Sequence, residues 1–141
     1  MNSILQNRIM VAATQAFRGT PVFLAYAYGS QIWGAPRPDS DLDIGYYLHD
    51  SYEREDLPLY DQMLLEDIFT QAIGLSVDLR NLGAAPLELK GRALEEGVRI
   101  YFDAESARVT LETALLARYH DYKPKLAAMH EERLRSFAGR V

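Results

Sequence analysis

Four short stretches that read as β-strands, each set off by a segment with helical spacing, leave this chain few architectures to choose from. Val22–Tyr28 is an unbroken apolar run of β-branched and aromatic residues. Leu42, Ile44 and Tyr46 alternate with Asp41, Asp43 and Gly45, which predicts a second strand over about 41–48. LSVDLRNL, Leu75–Leu82, alternates again, and Val98–Phe102 supplies a fourth. Between them the period changes. Leu5, Ile9, Ala12, Ala13 and Ala16 predict a helix over 3–17 that Gly19 and Pro21 stop. Tyr60, Leu64, Ile68 and Ala72 share a stripe of a helix over 59–72, with Gly74 as its C-terminal stop. Pro86 opens a further helix that Gly97 closes. From about 104 the spacing is helical on Leu111, Leu115 and Tyr119, with a kink or restart expected at Pro124. The order αβ(α)βαβαβα predicts an α/β domain with a small sheet and helices packed on it.

At 141 residues there is room for one domain, and with 48% apolar residues the chain can build a core for it. A net charge of −5 argues against a non-specific polyanion binder, so no direct nucleic-acid contact is expected. With no cysteine there is no disulfide framework, thiolate metal site or Cys nucleophile. The longest apolar run is far short of the roughly 20 residues that span a bilayer, and the first residues lack a signal-peptide pattern. A soluble cytoplasmic protein without a membrane partner is the expectation. Charge is unevenly spread. Residues 118–141 hold six basic against three acidic residues, net +3, while 1–117 are net −8. That basic segment reads either as a solvated terminal helix or as a partner-docking surface.

The chemistry is concentrated in YGSQIWGAPRPDSDLDIGYYL, Tyr28–Leu48. Gly29 lets the backbone leave a strand with positive φ or pass close to a ligand. Ser30 follows where a turn or helix begins, offering a hydroxyl and free N–H groups to a phosphate, although a plain turn uses the same pair. Asp41 and Asp43, two apart on a strand, present two carboxylates on one face, and like charges that close favour a cation between them. Oxygen donors of this kind suit Mg²⁺; two solvated aspartates at a loop end are the competing reading. Asp78 interrupts the third strand between Val77 and Leu79. Were that strand beside the second, three carboxylates would converge and could hold two metals for an in-line phosphoryl displacement.

Gly29-Ser30, three residues, Gly34, five residues, then Ser40-Asp41-Leu42-Asp43 resembles the signature of the DNA polymerase beta-type nucleotidyltransferase superfamily. The small size, LSVDLRNL…LEEGVRIYFD and the terminal ARVTLETALLARYHDYKPKL look like its minimal-nucleotidyltransferase (MNT) branch, which includes antitoxins paired with HEPN ribonuclease toxins. The resemblance implies an α/β (α+β) fold: a small mixed sheet of about four strands, palm-like, flanked by helices, with a long C-terminal helical segment. It implies a nucleotidyltransferase domain over 1–103 and a helical tail over 104–141 that belongs to it and binds the partner. Gly29 and Ser30 would bind the phosphates of ATP, with Arg37 in reach of the triphosphate or facing solvent. Asp41 and Asp43 would ligate Mg²⁺, two ions in all, with Asp78 as third ligand and helper in deprotonating the attacking hydroxyl. The acceptor would be a tyrosine of a HEPN toxin, which receives AMP as pyrophosphate leaves, in a hetero-oligomer of the two proteins. A small-molecule acceptor of the aminoglycoside type, or an antitoxin that acts by binding alone, are the alternatives.

Other residues carry less. No GxxxxGK[ST] stretch exists, so a P-loop reading fails. His49, His120 and His130 lack metal-ligand spacing and are expected at the surface; Trp33 is expected to pack the loop or border the nucleotide. Tyr119 and Tyr122 are candidates to anchor a partner helix. The acidic run Asp50–Asp67 reads as a solvated loop and helix face.

Overall fold

A computed structural model of the protein describes residues 3–33 and 40–138. The elements follow the expected order: α1 Ser3–Phe17, β1 Val22–Tyr28, a one-turn α2 Ser30–Trp33, β2 Leu42–Leu48, α3 Leu59–Ile73, β3 Val77–Asn81, a 3-10 turn Leu82–Ala84, α4 Leu87–Glu96, β4 Val98–Phe102 and α5 Glu105–Ala138. The strands form one mixed sheet in the order β3-β2-β1-β4. β1 pairs antiparallel with β2 and β4, whereas β2 and β3 run parallel, with α3 as their crossover.

Helices cover both faces. α1 and α3 bury Ile9, Ala13, Phe17, Leu65 and Phe69 against Leu42, Ile44 and Tyr46. α4 and α5 lie on the other face, where Leu24, Tyr26, Tyr28 and Tyr47 meet Leu82, Ala93 and Leu115. β1 is central and buried at all seven positions, which is why its sequence shows no polar alternation. An irregularity in the β1–β2 pairing between Val22 and Leu24 lets Phe23 and Leu24 join the same core. Gly74 caps α3 in the left-handed conformation, φ 78°, its N–H donating to the Thr70 carbonyl at 2.8 Å.

Several sequence expectations need correction. β2 begins at Leu42, one residue later than expected, so Asp41 stands at the strand's entry; β3 is trimmed to Val77–Asn81. The stripe Tyr60, Leu64, Ile68 lies on the outer side of α3, 70%, 46% and 37% exposed; the buried stripe is Leu65, Phe69, Ile73. The helix has apolar residues on two sides, so periodicity alone does not tell which faces the sheet. Of the kink or restart expected at Pro124, the restart does not occur, because α5 is continuous through that residue. The carbonyl that loses its partner belongs to exposed His120, where water can replace the missing donor. Tyr119 is buried and serves the chain's own core. An added Cβ on Gly91 would stand 2.2 Å from its ring, so only glycine allows α4 and α5 to close up there.

The fastening of α5 is ionic as well. Buried Glu112 accepts from Arg99 Nη2 through both carboxylate oxygens, at 2.8 and 2.7 Å, and from Arg108 Nη1 at 2.6 Å. Burial raises the carboxyl's pKa, but the hydrogen bonds from Arg99 and Arg108 outweigh it and hold the group below the ordinary glutamate value. Burial first, and then the Glu112 charge, hold the phenols of Tyr26 and Tyr47 well above the usual tyrosine range.

Candidate nucleotide-transfer site

The site forms where β1 ends and β2 and β3 begin. In the parallel register Asp43 stands directly beside Asp78, while Tyr28 pairs with Asp43 from the other side. The Ser76 carbonyl accepts from the Leu42 N–H at 2.8 Å, which starts the ladder and fixes that register. Two carboxylates on adjacent strands at one level repel each other. Burial chiefly, then Asp78, raise the Asp43 carboxyl above its ordinary pKa; Arg80 opposes this, and Asp41 adds the smallest push upward. Tyr28, buried beside the cluster, is pushed up to about 12, mainly by burial.

Gly29 is the floor of the site. Its φ of +90° turns the chain out of β1, and an added Cβ would stand 2.0 Å from Asp43 Oδ2. The carboxylate therefore rests directly on the Gly29 backbone, in space that only glycine leaves open. The Gly29 carbonyl then accepts from the Ile32 N–H at 3.0 Å and opens α2, which places Ser30 at the head of that turn. Gln31 Nε2 donates to the Ser40 carbonyl at 2.9 Å and ties α2 to the entry of β2.

The expected acids are thus brought together unequally. Asp43 and Asp78 are neighbours, half-buried; Asp41 is exposed at the mouth. Among the described residues no three acidic, histidine or cysteine side chains are already drawn close enough to form a metal cage. The donor set still fits a hard cation: all oxygens, no competing imidazole or thiol, and a carboxyl whose pKa is raised by burial first and by the neighbouring Asp78 second. Arg37 and Gly34 lie outside the described residues.

Sequence reasoning missed Arg80. Its Nη2 is 3.7 Å from Asp78 Oδ2, and it is the cation that offsets the acids on Asp43. The signal was present, because Arg80 is two residues beyond Asp78 on the same strand and so faces the same way. His49 is less free than expected, 3.1 Å from Asp103, and its ring packs on Phe23 with centroids 5.1 Å apart.

Comparison with known proteins gives one family match and three similar folds. The family model described as polymerase beta, nucleotidyltransferase matches residues 14–106, well over half of the chain. The fold is similar to that of a mutant MntA toxin–antitoxin structure (TM-score 0.66, 17% identity, 95% of this chain and 99% of that one). A toxin–antitoxin structure with AMP-PNP is similar too (0.65, 19%, 92% and 98%). So is the Shewanella oneidensis complex of a tri-AMPylated HEPN toxin with an MNT antitoxin (0.61, 17%, 95% and 99%). No curated protein matches the sequence.

Proposed function

Because the chain belongs to the polymerase beta nucleotidyltransferase family, we propose that it is a Mg²⁺-dependent adenylyltransferase acting on a tyrosine of a HEPN-type toxin, and serves as that toxin's antitoxin. The observation that carries this is the pairing of Asp43 with Asp78 at one level of the sheet, beside the Gly29 backbone. The similar structures of an MNT antitoxin with a tri-AMPylated toxin, and of a toxin–antitoxin with AMP-PNP, support the acceptor and the nucleotide.

In this reading the acceptor hydroxyl oxygen bonds to the α-phosphorus of ATP as the bond from that phosphorus to the bridging oxygen breaks, and pyrophosphate leaves. Asp41, Asp43 and Asp78 would hold the Mg²⁺ ions. When bound, the ions neutralise the charge that builds on the phosphoryl oxygens and lower the pKa of the attacking hydroxyl. Asp78 accepts the hydroxyl proton, and Arg80 yields its carboxylate to that task while turning toward the triphosphate. Gly29 and Ser30 seat the phosphates at the start of α2, and Arg37 is the residue assigned to the triphosphate. The segment 104–141 carries the partner: beyond Tyr119, α5 exposes Met129, Leu134 and Phe137 among basic residues.

The test is to incubate the chain with its HEPN partner, ATP and Mg²⁺ and to weigh the partner by mass spectrometry. Gains in steps of one AMP, absent with Asp43→Asn, are expected. An unmodified partner under the same conditions, with the complex formed, overturns the reading.

A further inference from the structure

β2 carries a second feature on the face that holds Asp43. Four residues on, about 13 Å along the strand, Tyr47 forms part of the wall of a cavity of about 630 Å³. Between the two, Leu82 sits on Gly45, where an added Cβ would be 2.4 Å from Leu82 Cδ1, so an apolar side chain fills that position of the face.

The lining charges differ from those of the acid site. Arg54 from the β2–α3 loop, Lys90 from α4 and Arg118 from α5 reach the same cavity from positions far apart in sequence. Among the described residues none of the three is in an ion pair. Asp50 and Glu55 line the cavity as well, so carboxylates are at hand, and the chain as a whole has an excess of five negative charges. Three cations nonetheless stay unpaired around one space. His49, a fourth basic side chain there, is engaged by Asp103 at 3.1 Å. The remaining walls include the rings of Phe23, Tyr47 and Tyr52. The volume lies within the roughly 300–1,000 Å³ of small-molecule sites, and such sites combine apolar walls with a few convergent polar groups.

We propose that this cavity is a binding site for a nucleoside monophosphate, separate from the transfer site. Arg54, Lys90 and Arg118 receive the phosphate through charge-assisted hydrogen bonds, and the aromatic walls receive the base, whose flat face suits them regardless of sequence. The assignment stands on the cavity and its three cations alone, and does not depend on what the acid cluster catalyses.

A ¹⁵N-labelled full chain, held in EDTA so that divalent ions are absent, is titrated with AMP and separately with inorganic phosphate, following amide shifts. Saturable shifts are expected at Tyr47, Asn81, Lys90 and Leu115, with AMP binding at least tenfold tighter than phosphate. The double variant Lys90→Gln/Arg118→Gln, which breaks no ion pair among the described residues, keeps its dispersed spectrum and loses at least tenfold in AMP affinity. Asp43→Asn stays within twofold of the parent at these amides. AMP shifts confined to Gly29 and Ser30, AMP no tighter than phosphate, or an undiminished affinity in the double variant would each overturn the proposal.

Discussion

At Gly29 one missing carbon decides whether the site exists. A side chain there has to adopt a left-handed φ of +90°, and its Cβ would sit 2.0 Å from the Asp43 carboxylate. Gly29→Ala is therefore expected to cost about 1–2 kcal/mol for the backbone alone, to displace Asp43, and to reduce the proposed AMP transfer by at least 100-fold. Thermal melting together with a pyrophosphate-release assay checks both halves. Asp43 presents the opposite balance of stability and activity. Without metal its folded pKa lies above the unfolded value, because of burial first and Asp78 second, so protonation favours the fold. The stability this contributes is complete below about pH 4, the unfolded aspartate value, and is lost as pH rises through the raised value. Asp43→Asn removes that loss. In EDTA the variant is expected to melt above the parent at pH 7 and level with it near pH 3, while its transfer activity is abolished. A variant melting below the parent at pH 7 would show that Asp43 is not electrostatically strained.

At the scale of elements, the strands were the most legible parts of the chain, because their signals are local. β1 and β4 fall at their expected residues, and Asp78 interrupts an apolar run where β3 lies beside β2. What could not be read is whatever depends on a distant partner. The outer stripe of α3 has the same spacing as the inner one, and only the sheet decides between Tyr60, Leu64, Ile68 and Leu65, Phe69, Ile73. Gly91 carries no hint that Tyr119, in another helix, will need its space. Glu112 likewise looks like any surface glutamate on α5 until Arg99 and Arg108 close on it. Removing it leaves Arg99 facing a partly buried gap. Glu112→Ala should cost about 3 kcal/mol, at the low end for buried pairs because Arg99 keeps 39% of its side chain in water. The folded pKa of Glu112 is depressed, so its contribution is present above the unfolded glutamate value and fades as pH falls through the depressed one. Urea melts of parent and variant should converge as the pH is lowered from 7 toward 3; parallel curves would place the loss in packing instead.

The molecule as a whole is a sheet with its chemistry at one end and a helix that outgrows it. α5 is 34 residues, about 50 Å at 1.5 Å per residue, yet its buried positions are Glu112, Leu115 and Tyr119, all in its first half. Past the contact of Lys123 with Glu95 the helix has no ion pair to the body among the described residues, and Leu134 and Phe137 are each 70% exposed. A solitary helical extension of this length contributes nothing to the core it leaves behind, and its apolar side chains remain in water unless something covers them. The net charge changes sign along the same stretch, which suits an acidic partner surface. Leu134→Asp/Phe137→Asp separates the two roles. Both residues are exposed, so the melting temperature of the isolated chain should stay within 2 °C and any partner-independent hydrolysis of ATP should be unchanged. Under the proposed function, affinity for a HEPN-type partner, measured by calorimetry, should fall at least tenfold, and the proposed AMP transfer at limiting partner should fall with it. Full affinity in this variant would move the docking surface from α5 to the body of the domain, where α3 exposes Leu59, Tyr60, Met63 and Leu64.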